Sequence, residues 1–164
     1  MSFKVVIGLG SNIGHRELYI KKAIEMITED LGELISQASF YQTQSWGYED
    51  VDYLNSAICV RTNLEPIDLM QALLEIEKQM GRKPYKAIGY QSRVIDLDIL
   101  LIEGMIINSA ILKVPHPRMH LRKFVLKPLS EIVPSWIHES KLLPISELLE
   151  KCTDTSKVLW YENS

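Results

Sequence analysis

The chain has 164 residues, 46% apolar and 24% charged, with a formal net charge of −3. That length supports one compact domain (1–164) with its own core, and the mild negative charge gives no field that would gather nucleic acid. Cys59 and Cys152 form neither a disulfide framework nor a zinc spacing and read as reduced thiols of a cytoplasmic protein, while no apolar run reaches the roughly 18 residues of a membrane span and no signal-peptide core precedes the first strand.

Phe3 to Leu9 predicts a short apolar strand that runs into Gly8-Leu9-Gly10-Ser11-Asn12-Ile13-Gly14. The glycine spacing fits neither the dinucleotide fingerprint nor a P-loop, so it reads as a tight strand-to-helix turn at positive φ. Arg16 to Leu31 places Ile20, Ala23, Ile24, Ile27 and Leu31 on one helical face. Leu34 to Thr43 reads as a second strand, Gln44 to Asp52 as a loop, and Tyr53 to Thr62 as a third strand. Glu65-Pro66 opens a second helix with Ile67, Met70, Leu73, Leu74 and Ile76 as its apolar stripe, and Gly81 ends it. A charged loop, Arg82 to Ser92, leads into a strand from Arg93 to Ile102. Strand, helix, strand, strand, helix, strand is the split βαβ order of ferredoxin-like folds. The expected class is therefore α+β, a βαββαβ core whose antiparallel sheet is covered by helices, with C-terminal additions. Those additions are a short returning strand at Met105 to Ile107, an extended loop from Val114 to Met119 fixed by two prolines, and short helices at Phe124 to Ile132 and Pro144 to Cys152. The tail to Ser164 reads as peripheral.

The strand from Arg93 to Ile102 carries the chemistry. Asp96 and Asp98 sit at i and i+2, so they share one strand face, roughly 7 Å apart. A hard divalent cation held by carboxylates and substrate phosphates would neutralise both. The plain alternative is an edge strand whose aspartates face water. Basic residues gather around this strand, and Arg82, Arg93 and Arg122 stand beside its ends as candidate phosphate forks. His116 is held between Pro115 and Pro117. Thr43, Trp46, Tyr53, Asn55 and Phe124 offer aromatic faces and an amide edge for a planar heterocycle. Carboxylates, guanidiniums and aromatics together point to phosphoryl transfer from a nucleotide to a heterocyclic alcohol.

With these residues in place, the chain resembles the 6-hydroxymethyl-7,8-dihydropterin pyrophosphokinase family. The resemblance is carried by Gly8-Leu9-Gly10-Ser11-Asn12, Ser39-Phe40-Tyr41-Gln42-Thr43, Tyr53-Leu54-Asn55-Ser56-Ala57, Ile76-Glu77 with Gly81-Arg82, Arg93-Val94-Ile95-Asp96-Leu97-Asp98-Ile99-Leu100, Val114-Pro115-His116-Pro117 and Arg122-Lys123-Phe124-Val125-Leu126. It implies transfer of the β,γ-pyrophosphate of ATP to the pterin hydroxymethyl group, with release of AMP, in folate biosynthesis. By the same resemblance, Arg82, Arg93, Asp96 and Asp98 are catalytic, and Asp96 and Asp98 hold two Mg²⁺ ions. Tyr53 and Phe124 sandwich the pterin, Asn55 bonds its edge, and Thr43, Gln44 and Trp46 complete the pocket. Glu77, Arg82, Arg93, Ile99, Leu112, His116 and Arg122 serve ATP. The implied partners are small molecules alone, without nucleic acid or membrane, and the implied state is a monomer. The chain departs from the family at Tyr90-Gln91-Ser92 before Arg93, at Gln44-Ser45 after Thr43, and at Pro84, where a second arginine is usual. A metal-dependent nucleotide hydrolase would use the same aspartates without a pterin pocket, and a non-catalytic ferredoxin-like ligand-binding module would need neither.

Overall fold

Apolar residues at strand and helix periodicity divide this chain between the two faces of one sheet. The computed structural model describes residues 1–43, 52–81 and 94–162. In β1 (Phe3–Ser11), Val5, Ile7 and Leu9 point to one face and Val6, Gly8 and Gly10 to the other. β1 pairs antiparallel with β4 (Tyr53–Thr62) on one side and β5 (Asp96–Ile102) on the other. β2 (Glu33–Gln37) and β3 (Phe40–Thr43) follow one another along the far edge of β4. β8 (Val158–Tyr161) then adds to β3, giving the order β5-β1-β4-β3-β8 with β2 beside β4. Two short strands, β6 (Ile107–Asn108) and β7 (Lys113–Val114), form a separate ribbon. The class read from element order holds: an antiparallel ferredoxin-like sheet with helices against it.

Helices α1 (Arg16–Asp30) and α2 (Pro66–Gln79) cover the first face. Ile20, Ile24 and Ile27 from α1, and Leu69, Leu73 and Ile76 from α2, pack on Val5, Ile7, Leu54, Ile58 and Ile99. Burial is worth about 1.5–3 kcal/mol for each such side chain, so packing rather than propensity holds both helices down. The other face is half covered, by α3 (Lys123–Ile132) and α4 (Ile145–Lys151). Leu126, Leu129, Ile145 and Leu148 meet Val6, Ala57, Cys59, Leu100 and Leu101 there. Consecutive Leu100 and Leu101 share this face because the β1–β5 register shifts between Val6 and Ile7, a bulge that ends the alternation.

Three local expectations change. The stretch from Leu34 to Thr43 is two strands, because the Ser39 N–H leaves the ladder and donates to the Glu131 carboxylate at 3.0 Å. The α2 stripe is rotated: Leu69, Leu73, Ile76 and Glu77 are buried, and Leu74 is 52% exposed. Those four fall at i, i+4, i+7 and i+8, a tighter single face than one that includes Leu74. Finally, the tail is part of the sheet, since β8 pairs Phe40 to Thr43 with Tyr161 to Val158.

Candidate active site

The register builds the floor. Gly10 of β1 stands opposite Asp96 of β5 on one side and Asn55 of β4 on the other, and Asn55 faces Tyr41 of β3. One step along, Gly8 lies between Asp98 and Ala57. Opposed residues share a sheet face, so the two carboxylates project on the side where β1 presents Gly8 and Gly10. The strand carrying them and the strand carrying Asn55 are two spacings apart, about 10 Å. Gly8 and Gly10 were expected in a turn and instead lie within β1; Gly14, at φ 61°, makes the turn. A Cβ on Gly10 would stand 2.9 Å from Asn55 Oδ1, so close approach keeps this position bare.

Above the floor is a cleft of about 830 Å³, counted to its open mouth. It is lined by seven of the residues singled out from sequence: Thr43, Tyr53, Asn55, Asp96, Asp98, Arg122 and Phe124. Asn55 is buried and donates from Nδ2 to Thr43 Oγ1 at 3.1 Å, which fixes the amide at the cleft's edge. Phe124 sits in the first turn of α3, with the Arg122 guanidinium 5.7 Å from its ring centroid, in cation–π range. Gly8, Gly10, Ser56, Val125, Leu129 and Ser156 also line the cleft and had no site role assigned from sequence. Glycines two apart in an apolar strand are a readable signal for a bare strand face. Ser156, in a polar stretch with no pattern, offers none.

Other candidates take different places. Glu77 is 2% exposed, and its Oε2 accepts the Leu97 N–H at 2.7 Å, joining α2 to β5. Ile99 and Leu112 belong to the core beneath α1 and α2. His116 does not line the cleft, but its N–H donates to Leu100 O at 2.9 Å, and its Nδ1 accepts the Arg118 N–H at 3.3 Å. Its proton is thereby assigned to Nε2. Burial, then the charges of Arg122 and Arg118, hold its pKa below the usual range, which keeps the ring neutral near pH 7. Gln44, Trp46, Arg82 and Arg93 lie outside the described residues, as does the Tyr90-Gln91-Ser92 departure.

The donor set suits magnesium. Asp96 and Asp98 offer hard oxygen atoms at the cleft, and among the described residues no cluster of three or more His, Cys, Asp or Glu could hold a metal without help. Mg²⁺ takes one or two carboxylates and completes its shell with water and substrate phosphates. Floor, amide edge, aromatic wall and carboxylate pair can therefore receive a planar polar ring at one end and a polyphosphate at the other.

Comparison with known proteins gives the family and the fold. The pattern of the family described as 7,8-dihydro-6-hydroxymethylpterin-pyrophosphokinase (HPPK) matches residues 6–134. A protein of Aquifex aeolicus (strain VF5), named 2-amino-4-hydroxy-6-hydroxymethyldihydropteridine pyrophosphokinase, is 40% identical over 144 residues, covering 87% of this chain and 88% of its own length. A Bacillus subtilis (strain 168) protein of the same name is 41% identical over 128 residues, 77% of this chain and 75% of its own. In fold, the chain is similar to the crystal structure of Plasmodium falciparum HPPK-DHPS with pteroate, at TM-score 0.74 and 16% identity. That match covers 92% of this chain and 42% of the other.

Proposed function

The chain belongs to the 7,8-dihydro-6-hydroxymethylpterin-pyrophosphokinase family, and on that premise we propose how its cleft transfers pyrophosphate from ATP to 6-hydroxymethyl-7,8-dihydropterin, a step of folate biosynthesis. The observation that carries the reading is the one cleft that Thr43, Tyr53, Asn55, Asp96, Asp98, Arg122 and Phe124 all line. Tyr53 and Phe124 stack the pterin between them and exclude water, while the Asn55 amide, held by Thr43, bonds its edge. Gln44 and Trp46, outside the described residues, are assigned to the same pterin pocket by the family resemblance. The hydroxymethyl arm then reaches across bare β1 toward Asp96 and Asp98. Its oxygen forms a bond to the β-phosphorus as the bond from that phosphorus to the α–β bridging oxygen breaks. AMP leaves with the electron pair, and the hydroxyl proton passes to water.

Asp96 and Asp98 are the residues that would hold two Mg²⁺ ions, which when bound neutralise charge on the triphosphate. Arg82, Arg93 and Arg122 fork the phosphate oxygens bidentately, and the His116 Nε2–H donates to them. Glu77, Ile99 and Leu112 serve the nucleotide by fixing the strands and loop that face it. The 164 residues act as one pyrophosphokinase domain, a cytoplasmic monomer whose partners are its two substrates. No helix among the described residues is long and apolar enough to cross a membrane.

The test is the nucleotide product. The protein is incubated with ATP and Mg²⁺, with and without 6-hydroxymethyl-7,8-dihydropterin, and the nucleotides are separated. AMP formed in the presence of the pterin alone supports the reading. ADP as product, or AMP independent of the pterin, contradicts it.

A further inference from the structure

Helix α3 begins without a local cap. Its N-cap residue is Arg122, which makes no side-chain capping bond, so the first-turn N–H groups need acceptors from elsewhere. One comes from 31 residues on: Asp154 Oδ2 accepts the Lys123 N–H at 3.0 Å. The same carboxylate takes the Ser156 N–H on Oδ1 at 2.9 Å. Burial pushes the Asp154 carboxyl up, but the bonds from Ser156 and Lys123, with the Lys123 charge, outweigh it and hold it below its ordinary value. The next turn of chain enters the site. Ser156 lines the cleft alongside Phe124, and Val158 opens β8 directly opposite Thr43. At the far end of β8, Tyr161 lies under the Arg16 guanidinium, 5.8 Å from ring centroid to carbon. The tail is therefore anchored to the sheet and to α3 at once. The family pattern ends at residue 134, so Asp154, Ser156, Val158 and Tyr161 lie beyond it.

We propose that Asp154 is a positioning residue for pterin binding, setting the first turn of α3, and with it Phe124, at its height above the Asn55 edge. The inference rests on the assignment of Phe124 as a stacking wall. A cap that served stability alone would leave the folded enzyme's substrate preference unchanged, whereas a positioning cap changes the pterin interaction in the folded protein.

The experiment is steady-state kinetics of the full chain with three single variants and one double, each with its melting temperature. Asp154→Ala removes the acceptor. Lys123→Pro removes the donor from the helix side, where proline is favoured at the first helical position and Arg122 is already extended at φ −119° and ψ 108°. Asp154→Asn keeps a carbonyl acceptor. The pterin KM is expected to rise about fivefold in Asp154→Ala and Lys123→Pro, the scale of a lost N-cap, with a smaller rise in the ATP KM. The double variant should show less than the product of the two effects, and Asp154→Asn should return to within about twofold of wild type. An unchanged pterin KM, equal rises in both KM values, or a lowered melting temperature alone would overturn the proposal. Wild-type enzyme that forms no pterin-dependent AMP would overturn the functional reading and this inference together, an outcome separate from unchanged variants in an active background.

Discussion

Gly10 and His138 show how single side chains, absent or buried, set the properties of this protein. Gly10 leaves the space that lets Asn55 turn its amide to the cleft. The residue was visible in the sequence, but its role was not, since a glycine pair beside Ser11 and Asn12 reads as a turn until strand pairing extends β1 through both. Glu77 is similar: its family role was readable, yet its buried bond to the Leu97 N–H depends on α2 meeting β5, which no local pattern encodes. His138 gave no signal at all. It is 3% exposed, and its Nδ1 accepts the N–H groups of Ser140 at 3.2 Å and Lys141 at 3.0 Å. Burial first, then the charges of His120 and Lys141, lower its pKa from 6.5 to about 4. The unfolded chain takes up this proton near pH 6.5 and the folded one only near pH 4, so the unfolded state binds more protons in between. Stability should therefore fall as pH drops through that window, by on the order of 3 kcal/mol from this residue. Urea midpoints between pH 7 and 4 check it. His138→Asn, whose Oδ1 can take the place of Nδ1, should flatten the slope without removing it, because His116 and His120 shift in the same direction. Parallel slopes for the two proteins would contradict this.

At the scale of elements, α3 is held at both ends by residues distant in sequence. Asp154 takes its first turn, and near its last turn Glu131 accepts from the Ser39 N–H at 3.0 Å, the Ser39 hydroxyl at 3.0 Å and the Tyr41 hydroxyl at 2.7 Å. Burial and the bond to Glu131 push the Tyr41 pKa up to about 12. Losing these partly exposed bonds in Glu131→Ala should cost about 1–2 kcal/mol. The reading is a lower urea midpoint at unchanged slope; a midpoint equal to wild type would show the cluster to be without weight. This cluster also explains what was legible. The limits of β4 and the start of α1 follow from a short apolar run bounded by turn residues and from helical period, which are local. The break between β2 and β3 follows from Ser39 bonding to a residue 92 positions away. The rotation of α2 follows from the sheet it meets. β8 is four residues long, with Leu159 and Trp160 exposed, so its sequence carries no alternation to distinguish it from a loop.

Across the whole molecule, the sheet separates two tasks. One face is closed by α1 and α2 over a continuous aliphatic core, and the other is divided between α3 with α4 and the cleft. Element order made this scaffold readable, because short antiparallel connections leave few ways to arrange the split βαβ units. The composition of the cleft was readable where motif residues fall on β4, β5 and the start of α3. It was unreadable where the tail returns to the sheet, since that contact depends on the finished fold. On the proposed function, the carboxylate pair beside the glycine floor carries the transfer. Asp98 is exposed, so replacing it should leave the fold intact. The most direct measurement is the turnover of Asp98→Ala at saturating ATP, Mg²⁺ and pterin, with its melting temperature beside that of wild type. Turnover should fall below about a tenth, a loss of more than about 1.4 kcal/mol in transition-state stabilisation, at an unchanged melting temperature. Turnover above a tenth in a protein that melts as wild type does would contradict the assignment.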